Sequence, residues 1–202
     1  MTIDMITTHL LLVFFSVLLT IIFGVPLGVV AYIFPKARKI ILKVVEVLQT
    51  VPALALLGVI MVFLGPDRAT VIIGLFAYSL LPVVLNTYTG LVEVDPAVKE
   101  AAKGIGMTKI NRLFLVELPL ALPLIFSGVR LAIVTSVGVA VFGAFVGGGG
   151  LGSVIYESIR VSNMKLLLQS TAVLIVMAVG FDFVMSKIEK QMNKKLTGNS
   201  VD

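Results

Sequence analysis

Five long apolar stretches alternate with short polar ones along the chain, and the polar ones carry almost all of its basic residues. The first stretch runs from about Leu10 to Phe34 and contains Gly24, Pro26 and Gly28. The second runs from about Val44 to Leu64 and holds Glu46, Gln49, Thr50 and Pro52 near its start; the third, from about Ala69 to Val92, holds Pro82 and Asn86. The fourth extends from Leu113 to about Phe145 and the fifth from about Leu166 to Val184. Each is long enough to cross a hydrocarbon core of about 30 Å as a helix. At 1.5 Å per residue the fourth would reach about 50 Å, so Pro119 and Pro123 are expected to break its first turns off along the membrane surface. Five spans put the two chain ends on opposite sides.

Positive charge decides which side is which. Lys36, Arg38, Lys39 and Lys43 follow the first stretch, Lys99, Lys103, Lys109 and Arg112 lie between the third and fourth, and Lys187, Lys190, Lys194 and Lys195 follow the fifth. These twelve share one face of the membrane, against Arg68, Arg160 and Lys165 on the other. Basic loops stay in the cytoplasm, so the N-terminus is expected outside and the C-terminus inside. Residues 1–9 hold no Lys or Arg and carry Asp4, and the first run is long enough to span, so no cleaved leader is expected.

Composition agrees with a polytopic membrane protein. The chain is 58% hydrophobic and 13% charged, with a mean hydropathy of +1.11, more apolar surface than a soluble fold of this length can hide. The net charge of +5 therefore reports topology rather than nucleic-acid binding. Without cysteine there is no disulfide scaffold, thiol catalysis or Cys metal site. His9 is the only histidine, and no phosphate loop or nucleophile triad occurs, so neither a catalytic nor a metal-binding set is expected.

The segment between the third and fourth spans, residues 93–112, is far longer than a plain connection. Asp95 is a good N-cap and Pro96 a good first helical residue, while Gly104 and Gly106 mark a stop. Between them Val98, Ala101, Ala102 and Ile105 recur at i, i+3, i+4, i+7 and form a small-residue apolar face, with Lys99, Glu100 and Lys103 on its flanks. Thr108 can cap a second short helix leading into Leu113. An apolar face outside the bilayer with nothing of its own to pack on suits insertion into a partner's groove.

These residues carry a resemblance. Glu100-Ala101-Ala102, three residues, Gly106, nine residues, then Val116-x-Leu118-Pro119 resembles the cytoplasmic loop of permease subunits of ABC importers, with Val116 where the pattern has Ile. The resemblance implies an all-α membrane protein of five transmembrane helices, a type I importer fold of the methionine-permease kind, in the cell membrane as a multi-pass protein. It makes residues 1–195 one transmembrane domain with a flexible tail at 196–202. The loop residues Glu100, Ala101, Ala102, Gly106, Leu118 and Pro119 become the coupling element that docks on an ATPase.

Several polar positions within the spans leave two readings open. Gln49, Thr50 and Pro52, and Asn86 with Thr87 and Thr89, either line a solute pathway or bond to neighbouring helices. Arg130, the only basic residue inside a span, either selects substrate or pairs with helix-end carbonyls, Glu46, Glu117 or Asp182. Gly147 to Gly150, then Leu151-Gly152, form either a flexible linker or an ordered re-entrant gate in which Gly148 and Gly149 turn the chain, with Val154, Ile155 and Ile159 giving a short amphipathic helix.

Within ABC permeases, the run Gln49 to Ala55, the run Pro119 to Arg130 and the glycines 148–152 resemble permeases for osmoprotectants such as glycine betaine, carnitine and choline. The resemblance implies an ATPase dimer that binds ATP and Mg, a second permease (a like subunit or a paralogue), an extracellular solute-binding protein and surrounding lipid; this subunit itself needs no cofactor. Permeases for methionine or another amino acid are the rival within that class. A secondary transporter is the alternative from another class, although the spans show no internal repeat.

Overall fold

In the computed structural model residues 2–197 are described, apart from the side chains of Asn193 and residues 195–197. All regular structure among them is helical. α1 (Ile3–Ile33) is followed by α2 (Pro35–Thr50), α3 (Ala53–Leu64), α4 (Arg68–Glu93), α5 (Pro96–Gly104) and α6 (Lys109–Arg112). A π-helical turn (Leu113–Glu117) leads into α7 (Leu118–Val139), which tightens to 3₁₀ geometry over Ala140–Val146; α8 (Gly150–Arg160) and α9 (Met164–Thr197) complete the chain. α9 continues into the segment 196–202 read as tail, of which 198–202 lie outside the described residues.

Among the described residues four helices are long and apolar enough to cross a membrane, and a bent pair brings the number to five. That pair corrects the second span. Instead of one helix from Val44 to Leu64, α2 and α3 meet at 101°. Pro52 has no N–H to continue the helix, and Val51 before it is extended (φ −67°, ψ 130°), as the proline ring demands. α3, at 12 residues, spans only about 18 Å.

The fourth span is corrected in the opposite sense. Pro119 and Pro123 do not break its first turns off: Lys109–Val146 is continuous over 38 residues. The π turn widens the backbone just before Pro119, the second residue of α7, so the missing N–H falls where the hydrogen-bond register already shifts.

α4 is the centre of the bundle, packed between α1 and α7. Its approach to both depends on residues without side chains. A Cβ on Gly28 of α1 would lie 2.8 Å from the Val84 carbonyl, and one on Gly128 of α7 would lie 2.6 Å from the Pro82 carbonyl. Small residues at such crossings let membrane helices gain dispersion contact that lipid, equally apolar, would otherwise compete for. The main core joins Leu12, Val13 and Val17 of α1 with Val71, Leu75 and Val83 of α4 and with Val129 and Ala132 of α7.

Candidate functional site

The loop between α4 and α7 is built as its sequence indicates at both ends. Asp95 accepts a hydrogen bond from the Ala97 N–H at 2.8 Å, and Thr108 accepts one from the Asn111 N–H at 3.2 Å, so each caps its helix. α5 stops in paired bonds from Gly106 N–H to Lys103 O (2.9 Å) and from Met107 N–H to Ala102 O (3.1 Å), which need a left-handed residue at Gly106, φ +83°.

The face of α5 is divided differently. Val98, Ala101 and Ile105 are exposed, Ile105 at 79%, but Ala102 is only 5% exposed and turns toward its own chain. Ile110 of α6, 69% exposed, extends the outer apolar face instead. Leu118 packs with Leu91, Leu113, Ala121 and Ile125, and Pro119 is half-buried, so both stand behind the loop rather than on its surface. Glu100 pairs with Lys103 at 2.6 Å; that hydrogen bond holds the Glu100 carboxyl below its usual range, but both groups are exposed and the pair adds little to stability. Lys99 is not a solvated flank. Its Nζ donates to Leu91 O at 2.8 Å, at the C-terminal end of α4 where a cation is favoured.

The motif leaves Glu117 unspecified, and the sequence offers it only as a partner for Arg130. Its carboxylate is 1% exposed and instead receives the Arg112 Nε–H at 2.6 Å. Arg130 pairs elsewhere: both Asp182 oxygens accept from it, at 2.7 and 3.0 Å, and Glu189 accepts at 3.2 Å, tying α7 to α9. Its guanidinium is thus held by two carboxylates.

The intramembrane polar residues separate into two groups. Gln49 at the end of α2 and Asn86 on α4 line one cleft of about 280 Å³ together with Thr135 of α7, which the sequence did not single out. Leu81, Pro82, Leu85 and Leu131 complete the wall. Thr50 and Pro52 stay outside it: the Thr50 hydroxyl donates to Val47 O at 2.8 Å and Pro52 forms the bend. Asn86 donates to Pro82 O at 2.8 Å, while Gln49 and Thr135 have no hydrogen-bond partner among the described residues. At membrane depth such polar groups need protein or water as partners.

At the other end of α4 the glycine run is an ordered turn. Gly147, Gly149 and Gly150 take φ of +82°, +75° and +71°, which an L side chain resists. Gly148 donates its N–H to Gly143 O at 2.8 Å and lies against Val71. Gly150 packs on His9 of α1, whose imidazole is fully buried with Nε2 3.0 Å from Val137 O, where α7 begins to tighten. His9 gave no sequence signal beyond its solitude. Among the described residues no three His, Asp or Glu side chains converge on a metal-sized site.

A family model described as binding-protein-dependent transport system inner membrane component matches residues 20–197. Similar proteins include the choline transport system permease protein OpuBD of Bacillus subtilis (strain 168), 41% identical over 194 residues, 94% of this chain and 86% of that protein. The glycine betaine/carnitine/choline transport system permease protein OpuCD of the same organism is 40% identical over 196 residues, 96% and 86% of the two chains. The osmoprotectant import permease protein OsmW of Salmonella typhimurium (strain LT2) is 36% identical over 192 residues, 93% and 89% of the two. Among solved structures, an inward-facing conformation of the MetNI methionine ABC transporter superposes with a TM-score of 0.86, covering 94% of this chain and 95% of that one at 21% identity, a likeness of fold. With capped loop, broken second span and central α4 in one multi-pass membrane bundle, and with the family model matching almost its whole length, the chain belongs to the binding-protein-dependent transport system inner membrane components.

Proposed function

We propose that the chain is the pore-forming subunit of an ATP-driven importer for osmoprotectants of the quaternary ammonium class, such as choline, glycine betaine or carnitine. The observation that carries this reading is identity of 35–41% over more than nine-tenths of the chain to permeases named for those solutes. ATP and Mg are bound by a partner ATPase dimer, to which the exposed face of Val98, Ala101, Ile105 and Ile110 is offered. A second permease subunit completes the pore, and an extracellular binding protein delivers the solute. The charge asymmetry sets the N-terminus outside and the loop in the cytoplasm.

The cleft chemistry supports this division of labour. Tight recognition of a quaternary ammonium uses aromatic rings around the cation. The cleft lining of Gln49, Asn86, Thr135 and apolar residues has neither an aromatic ring nor a charge, so it offers polar contact to a quaternary ammonium solute without trapping it. High affinity then belongs to the binding protein, and passage to the permease. The test is reconstitution of the subunit with its ATPase and binding protein in liposomes. Glycine betaine, choline or carnitine should stimulate ATP hydrolysis and be imported; stimulation by methionine alone would transfer the assignment to an amino-acid permease.

A further inference from the structure

Where the loop meets the spans lies a buried polar cluster that no motif accounts for. Glu117 is the only carboxylate buried among the described residues. Arg112, with a side chain 16% exposed, donates to it from five positions earlier. Five residues of α-helix turn the chain by about 500° and would leave the two side chains on nearly opposite faces. The π turn over Leu113–Glu117 widens the path and brings them together. Tyr32, at the end of α1, packs against the Leu91, Leu113, Ala121 and Ile125 cluster next to that carboxylate. The Tyr32 ring lies 5.3 Å from Lys99 Nζ, and Lys99 donates to Leu91 O and, at 3.5 Å, to Val92 O. The circuit therefore runs from α5 through the last carbonyls of α4 and the end of α1 to Glu117, and back through Arg112 to α6.

We propose that Tyr32, Lys99, Arg112 and Glu117 form the joint through which displacement of α5 and α6 is transmitted to α1, α4 and α7, with Glu117 as its central positioning residue. This rests on the permease reading given above. Stability alone is a poor reason for the arrangement, because a buried ion pair rarely outperforms apolar residues of the same size. What the polar contacts supply is direction. Lys99 fixes the register of α5 on the end of α4, and Arg112 fixes α6 on the start of α7, so neither short helix can slide without moving a span. The apolar floor of Leu91, Leu113 and Ile125 could not do this, since aliphatic surfaces slip past one another without losing a directional bond. The exposed residues Ile105 and Ile110 lie on the far side of the same two helices, where a partner would push.

The experiment uses the full transporter, with its ATPase and binding protein, in liposomes. ATP hydrolysed per solute imported is read beside the thermal midpoint of the purified complex. Glycine betaine, choline and methionine are each tried, so that an error about the solute leaves the ratio measurable. Lys99→Met removes the bonds to α4 and leaves no buried charge unpaired. Arg112→Met with Glu117→Leu replaces the buried pair by apolar side chains of similar size. Both should keep the melting behaviour of the parent while the ratio rises about five-fold or more, and Glu117→Gln, which keeps the shape and a hydrogen bond, should fall between. An unchanged ratio in Lys99→Met overturns the joint, whether or not the double variant folds. Absence of ATP-driven import of all three solutes by the parent complex overturns the permease reading itself, a result that an unchanged ratio cannot mimic.

Discussion

The two ends of α4 are fastened by different means. At the loop end, charges and caps hold short helices against the spans: Lys99 on the Leu91 carbonyl, Arg112 on Glu117, Asp95 and Thr108 at helix starts. At the glycine end the fastening is steric. Gly147 packs on Pro66, Gly148 on Val71 and Gly152 on the Val141 carbonyl, with His9 against Gly150. The one ion pair there, Glu157–Arg160, is exposed and local. Directional bonds suit the joint proposed above, whereas close backbone packing falls off within a fraction of an ångström and holds the glycine end in one position.

The contrast is tested most severely by Glu117→Ala. It leaves the Arg112 guanidinium buried without a partner, and folded protein should lose about 3–5 kcal/mol, read as lowered yield and thermal midpoint. Gly152→Ala, at the other end, drives a methyl into the Val141 carbonyl and should cost about 1–3 kcal/mol by overpacking. If Gly152→Ala were neutral, the steric account of that end would fall.

Ala101→Trp and Ala102→Trp separate docking from folding on a single helix. The exposed Ala101 should accept the ring with an unchanged midpoint but abolish ATP-driven transport; the inward Ala102 should reduce folded yield first. Equal midpoints for the two would mean that α5 is rotated from the orientation described here. A topology test follows: Asp67→Cys and Ser162→Cys should react with impermeant thiol reagents from outside, and Lys109→Cys should not. Reversed labelling would exchange the roles assigned to the two ends. Glu100→Gln should have the smallest effect. Its carboxyl lies below its usual range, so whatever it adds is present above the unfolded value and lost as pH falls through the folded one. Full exposure leaves a change in midpoint too small to measure between pH 7 and pH 5.

Much of this architecture is local and therefore legible in the chain. The third span is read to within one residue at each end, Ala69–Val92 against Arg68–Glu93, because apolar length is a sufficient signal. Asp95, Pro96, Gly106 and Thr108 mark the loop helices for the same reason: each satisfies or relaxes the backbone beside it. What the sequence by itself determined is the membrane setting, the position of the spans, and the loop with its caps and left-handed glycine, all consequences of short-range propensity and charge.

Tertiary structure decided the rest. Pro52 bends the chain by 101°, yet Pro26, Pro82, Pro119 and Pro123 sit in continuous helices, a difference that no local rule about proline distinguishes. Ala101 and Ala102 are identical side chains one residue apart, and packing of α5 on the segment after it made one exposed and the other buried. Gln49, Asn86 and Thr135 come from three helices and share a cleft only once those helices cross. Arg130 found Asp182, and Glu117 found Arg112, because a charge inside a membrane must be satisfied and only the fold determines which opposite charge lies within reach.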